Sequence, residues 1–272
     1  MLSRLAPKLA VAWAERIFLT PPRHDWSEVE RPWLASAQRA WLHTNGLPVA
    51  AWNGRPMQTY RWGENRRGKV ALLHGWAGRA TQFHALVEAL VADGYEVVAI
   101  DAPAHGASPG RQASLLHFAQ ALARLVRNEG GVDAVIAHSL GGAAAVYAMA
   151  RYRLPVGKLA LLGPAADVAV YARQVGAALD LDAEQMAALR YGMETRLGVQ
   201  WAELNAVSRA AELRLPGLVI HDRDDKEVDH QAGAAIAAAW PGAQWHLSQG
   251  LGHRRLLRDS AVIAQVRTFL AA

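Results

Sequence analysis

The stretch Val135-Ile136-Ala137-His138-Ser139-Leu140-Gly141-Gly142 constrains this chain more than any other. A short β-type apolar run feeds into Ser139 between small residues, and an Ala-rich helical segment follows from Ala143 to Ala150. Strand, tight turn and helix in that order put the turn at the edge of a sheet. Small residues at 137 and 141 let the backbone close tightly, so the Ser139 hydroxyl is lifted off the strand end and suits a nucleophile. Position 137 is Ala where a G-x-S-x-G pattern has its first Gly. The competing reading is a serine that caps a helix, a role Ser favours.

At 272 residues the chain exceeds the usual single domain, yet α/β folds of about 200 to 250 residues are routinely one domain. One domain with an insertion is expected. The composition is 52% hydrophobic with no apolar run of about 18 residues, which points to a soluble globular chain without a spanning helix. The absence of cysteine removes disulfides, thiolate catalysis and Cys-based zinc sites. The net charge of +5 comes from scattered arginines, with no block of five or six like charges and no nucleic-acid module, so nucleic acid is not an expected partner.

Taken in order, Met1 to Thr20 reads as a basic amphipathic helix with Leu2, Leu5, Leu9, Trp13 and Ile17 on one face. It is expected to dock that face on the domain or a partner; anchoring to a membrane surface through residues 1–20 is the less favoured alternative. Pro7, Glu15 and Arg16 make it a poor export signal, leaving cytoplasmic location as the default. A second helix is expected from about Pro32 to His43. Strand-like runs Leu47–Trp52 and Pro56–Trp62 flank Asn53-Gly54, a strong hairpin signal. Lys69–Leu73 and Tyr95–Ile100 then read as strands, each followed by a helix, at about Arg79–Asp93 and Ser114–Glu129. Strand, helix, strand, helix implies parallel crossovers.

With these pieces placed, the chain from about Leu47 to the C-terminus resembles the α/β-hydrolase fold family. The resemblance rests on His74-Gly75-Trp76, Asp101-x-Pro-x-His105-Gly106-x-Ser108, Ala137-His138-Ser139-Leu140-Gly141, His221-x-x-x-Asp225 and Gly252-His253. Each is weak singly; their order and spacing are specific. The resemblance implies an α/β architecture: an eight-stranded, mostly parallel sheet with helices on both faces. It also implies a helical cap inserted after the sixth strand, about Lys158 to Leu162; the extra helices at the N-terminus are read from the patterns of residues 1–43 instead. The expected division is an N-terminal helical extension at 1–46, a core at 47–163 and 215–272, and a cap at 164–214.

A serine hydroxyl is a feeble nucleophile at neutral pH and needs a base, and an acid to fix that base's tautomer. The family order of serine, acid, histidine selects His253 as base, between the strand-like Ala243–Leu247 and a helix running to about Leu270. Family spacing of four residues from His221 selects Asp225 as the acid. Asp224 is the neighbouring alternative, and Asp167, after the sixth strand, a further one. Family geometry implies an oxyanion hole from the backbone amides of Trp76 and Leu140. His74, His105 and His138 are read as structural and too dispersed for a metal site.

In the cap, helices are expected at Ala165–Leu179, Asp182–Leu197 and Gln200–Arg214, with Tyr171, Met186, Tyr191, Met193 and Trp201 as candidate lining residues. Dehalogenases and epoxide hydrolases of this fold carry aspartate at the nucleophile position, so Ser139 argues against both. The expected function is hydrolysis of a carboxylic ester or thioester on a small-molecule acyl substrate, with no cofactor and no metal. Amide, peptide or carbon–carbon hydrolysis on the same residues remains open, as does a non-catalytic interaction protein of this fold.

Overall fold

The computed structural model describes residues 6–43 and 55–272. Chain order begins with helices α1 (Pro7–Leu19) and α2 (Glu30–Ser36) and strands β1 (Gln38–Leu42), β2 (Met57–Trp62) and β3 (Lys69–Leu73). A 3-10 turn (Ala80–Phe83) leads into α3 (His84–Ala92), followed by β4 (Glu96–Ile100), α4 (Leu115–Asn128), β5 (Val132–His138), α5 (Leu140–Tyr152) and β6 (Val156–Leu162). An insertion then carries α6 (Val168–Ala178), α7 (Ala183–Leu197), a 3-10 turn (Trp201–Leu204) and α8 (Ala206–Ala210). The chain ends with β7 (Gly217–Asp222), α9 (His230–Ala239), β8 (Gln244–Ser248), α10 (Gly252–Arg255) and α11 (Ser260–Ala271).

The described residues form one eight-stranded sheet in the order β1-β2-β4-β3-β5-β6-β7-β8. β1 and β2 run antiparallel, β2 is antiparallel to β4, and every pairing from β4 to β8 is parallel. Central strands covered on both faces should be continuously apolar, and they are: Val70, Ala71, Leu72 and Leu73 are all buried. The pleat sends them alternately to two cores. Ala71 and Leu73 join Phe118 of α4 and Val146 of α5, whereas Val70 and Leu72 join Leu86 of α3 and Val266 of α11. Each fully buried leucine contributes roughly 1.5–3 kcal/mol through removal from water.

The region before β2 corrects the sequence expectation. The predicted helix from Pro32 to His43 ends at Ser36, Ala37 turns extended, and residues 38–42 pair with β2 as the edge strand. Helix propensity here is a weak preference that the hydrogen-bond ladder of a neighbouring strand overrides. The sheet therefore starts at Gln38, inside the segment assigned to a helical extension. The expected run Leu47–Trp52 and its Asn53-Gly54 turn lie outside the described residues.

Helix α1 docks on the domain, as expected, but not through its apolar stripe. Leu9, Trp13 and Ile17 are 65, 52 and 42% exposed, while Ala10 and Ala14 are buried. The helix packs on α6 and α7 through its small face, where alanines permit close approach. Phe18 stacks on Trp201 at 6.2 Å between ring centroids, and Glu15 pairs with Arg196 at 2.6 Å. The Ala113 amide then donates to the Leu19 carbonyl.

The next N-terminal residues are held by charge. Arg79 donates from Nε and an Nη to both oxygens of Glu30, at 2.7 and 2.6 Å, and to the carbonyls of His24 and Asp25. Thr81 Oγ1 and the Ser27 amide and hydroxyl supply Glu30's other partners. Burial opposes the charge of Glu30, but these donors hold its carboxyl down at about 2. Removing one member of such a buried pair leaves the other uncompensated. Glu30→Ala is expected to lose about 3–5 kcal/mol in urea unfolding, whereas Glu64→Ala, at the exposed Arg66–Glu64 pair, should leave the midpoint in place.

Candidate active site

Ser139 sits between β5 and α5 at φ 55°, ψ −125°, a left-handed backbone no β-strand or helix would impose. Such a conformation costs of order 1–3 kcal/mol and persists where its surroundings over-determine it. Two glycines do so. A Cβ on Gly141 would come within 2.3 Å of the His74 carbonyl oxygen, and one on Gly75 within 2.6 Å of Ser139 Cβ. The end of β3 and the start of α5 thus approach at backbone distance. The Ser139 hydroxyl makes no hydrogen bond among the described residues, so no bond holds it in an unreactive rotamer.

His253 and Asp225 come from different loops. His253 Nδ1 donates to Asp225 Oδ2 at 2.7 Å, which leaves Nε2 as the ring nitrogen not used by the carboxylate. His221 Nε2 donates to the same Oδ2 at 3.2 Å and to the Val228 carbonyl at 3.1 Å, while Asp225 Oδ1 accepts from the amides of Glu227 and Val228. Burial pushes the Asp225 carboxyl up; hydrogen bonds from His221, His253 and the Val228 amide outweigh it and hold the group well below the usual carboxylate range. It is a fully buried, fully bonded carboxylate.

The other aspartates shape the loop. Asp224 accepts from the Gly250 amide, Asp222 from the Gly252 amide and Ser248 hydroxyl, and Asp167 caps α6 through the Ala169 amide. Of the four aspartates, Asp225 is the one hydrogen-bonded to His253. His138 has the structural role expected of it, with a partner the sequence did not name: its Nε2 donates to the His253 carbonyl at 3.0 Å and its ring lies 4.5 Å from the His253 ring. Its position beside Ser139 was the available signal, but the partner lies 115 residues away.

Ser139 and His253 line one cleft of about 480 Å³. Trp76 and Leu140 line it too, and their amides donate to no group among the described residues; Leu140 is the first residue of its helix and has no intrahelical acceptor. Val168 and Tyr171 of the insertion form one wall, Ile17, Phe18 and Thr20 another. Of the expected lining residues only Tyr171 reaches the cleft: Met193 and Trp201 are buried in the core, Met186 packs against it, and Tyr191 is exposed. Among the described residues no cluster of His, Cys, Asp and Glu is arranged to hold a metal, and no helix is long and apolar enough to cross a membrane.

The comparisons agree with this architecture. Residues 64–197, slightly under half of the chain, match the family model described as Serine aminopeptidase, S33. An esterase from Thermogutta terrifontis superposes with TM-score 0.62 at 22% identity, covering 86% of this chain and 98% of its own. A hydrolase from Pseudomonas aeruginosa gives 0.66 at 20% over 86% and 99%, and a bromoperoxidase from Bacillus anthracis 0.64 at 17% over 86% and 100%. The chain has the α/β-hydrolase fold. Among curated proteins none matches the sequence. In the α/β-hydrolase fold of this chain, Ser139 stands at the turn after the fifth strand, Asp225 follows the seventh strand and His253 the eighth.

Burial also sets the protonation of the other imidazoles around this α/β-hydrolase site. Desolvation holds His105 and His117 at about 4 and His138 at about 3, and His74 well below the usual range. Between those values and roughly pH 6.5 the unfolded chain binds more protons than the folded one, so stability rises with pH there and is lost on acidification. In His105→Asn the side-chain amide can keep the donor to the Pro103 carbonyl but does not titrate. Unfolding free energy measured from pH 4.5 to 6.5 should fall less steeply in that variant, by up to about 1.4 kcal/mol per pH unit. An unchanged slope would place the titration elsewhere.

Proposed function

We propose that this chain is a serine hydrolase that cleaves a carboxylic ester or thioester through an acyl-enzyme. The observation that carries the reading is the meeting, in one cleft, of the strained Ser139 elbow, the His253 ring tied to Asp225, and the unpaired amides of Trp76 and Leu140. Asp225 fixes His253 as the Nδ1–H tautomer, so Nε2 takes the Ser139 proton as Oγ attacks the carbonyl. The oxyanion that develops is received by the amides of Trp76 and Leu140, dipoles already oriented at the end of β3 and the start of α5. The imidazolium, stabilised by the Asp225 carboxylate, protonates the leaving alcohol or thiol. Water, deprotonated by Nε2, then releases the acid and restores Ser139.

The insertion at 164–214 acts as the cap, with α1 as a further wall, and the remaining core supplies the reacting groups. One feature weighs between ester and amide chemistry. An aminopeptidase needs a carboxylate to hold the substrate's ammonium group, and Glu227 is the acid lining the cleft among the described residues. It is bonded to Arg254 Nε at 3.0 Å, so the cleft favours an uncharged acyl group.

A fluorophosphonate probe should label the wild-type chain and fail to label Ser139→Ala. Labelling that persists in the variant would move the nucleophile elsewhere. On a p-nitrophenyl ester, Asp225→Asn should lower kcat by about a thousandfold or more, because the ring loses its tautomer and its counter-charge. Asp224→Asn, which alters only the loop carrying His253, should cost far less.

A further inference from the structure

Beside the Ser139 cleft lies a second and larger one of about 1250 Å³, between α1, the C-terminal end of α7 and the loop before α4. Thr20 and Ala113 line both, so the two clefts share a wall. Ser114 of the reaction cleft is hydrogen-bonded at 2.8 Å to His117 of the second. The lining of the second cleft is strongly one-signed. Arg16, Arg23, Arg55, Arg111 and Arg196 face a single carboxylate among the described lining residues, Glu15.

That carboxylate is already committed, since Arg196 bonds Glu15 at 2.6 Å and Gln112 at 2.7 Å. Arg23 is fixed by the carbonyls of Ser108 and Gly110. A guanidinium has five N–H donors, so both groups are held in place with donors to spare. Arg16 and Arg111 are exposed and have no carboxylate partner among the described residues. Guanidinium groups gathered in a groove raise the local concentration of anions and match phosphate oxygens in pairs. The volume exceeds what one phosphate or a short acyl chain would fill.

We propose that the arginine-lined cleft holds the phosphate-bearing part of the substrate while the acyl group lies against Ser139. The preferred substrate is then an acyl thioester or ester of a multiply charged, phosphorylated carrier. This rests on the serine-hydrolase reading above and adds its substrate class. Ser139 Oγ bonds to the acyl carbon and the carbon–sulfur or carbon–oxygen bond to the carrier breaks. His253 passes the serine proton to the departing sulfur or oxygen, and water converts the acyl-enzyme to the free acid. The phosphorylated thiol or alcohol leaves intact.

The test compares kcat/KM of the full chain on one acyl group carried four ways: as the coenzyme A thioester, the neutral N-acetylcysteamine thioester, the glycerol phosphate ester and the neutral glycerol ester. One phosphorylated carrier is expected to exceed its neutral counterpart by about tenfold or more at low salt, as charge-assisted bonds would supply. The ratio should shrink as salt is raised and collapse toward one in the Arg16→Gln/Arg111→Gln double variant. Whichever phosphorylated carrier shows the preference identifies the source, a nucleotide-bearing thiol or a glycerophosphate. Adenosine 3′,5′-bisphosphate should compete with the coenzyme A thioester in wild type if the thiol carrier is the preferred one, a reading that needs no variant to fold. Equal rates on charged and neutral carriers, or an unaltered ratio in a folded double variant, would overturn the cleft assignment alone. Absence of turnover on all four together with failure of fluorophosphonate labelling would overturn the hydrolase reading on which it rests.

Discussion

The rest of the site depends on one close approach, that of the β3 end to the β5–α5 turn. Ser139 adopts its left-handed backbone because Gly75 and Gly141 leave no Cβ between the segments. The strain of that turn is local, and the two buried cores on either side of the sheet support it. The same approach brings the Trp76 and Leu140 amides to the cleft without other partners among the described residues. A methyl at position 75 or 141 would therefore disturb serine and amides together.

Around this point the structure uses buried polar groups as struts. His138 at the end of β5 and Asp225 just after β7 both bond His253, and His221 at the end of β7 braces Asp225. Farther out, Glu30 and Arg79 tie residues 24–30 to the segment just after the Gly75–Gly78 turn. Salt would screen such a pair little, because neither side chain is more than 7% exposed. The N-terminal segment is thus fastened to the loop that carries Trp76.

That fastening alters how the cleft is understood. Ile17, Phe18 and Thr20 are walls of the reaction cleft, and α1 also borders the arginine-lined one, although all lie before the residues matched by the family model. α1 and the insertion, which pack on one another, together wall the Ser139 cleft. The apolar stripe of α1 stays partly exposed, with Ile17 at the cleft, because two alanines permit a closer helix contact than leucine and tryptophan would.

Local pattern was enough for the elbow and for the apolar central strands, since each is written within a few neighbouring residues, a strand period and a small-residue turn, whereas Asp225 and His253 were expected from the resemblance to the α/β-hydrolase fold family. It misjudged residues 38–42, whose strand state comes from pairing with β2 rather than from their own preference. Which aspartate meets His253, that His138 holds the His253 loop, and that α1 walls the cleft were decided by tertiary structure alone. These contacts join residues scores of positions apart, and their energies arise only when burial removes the competing water.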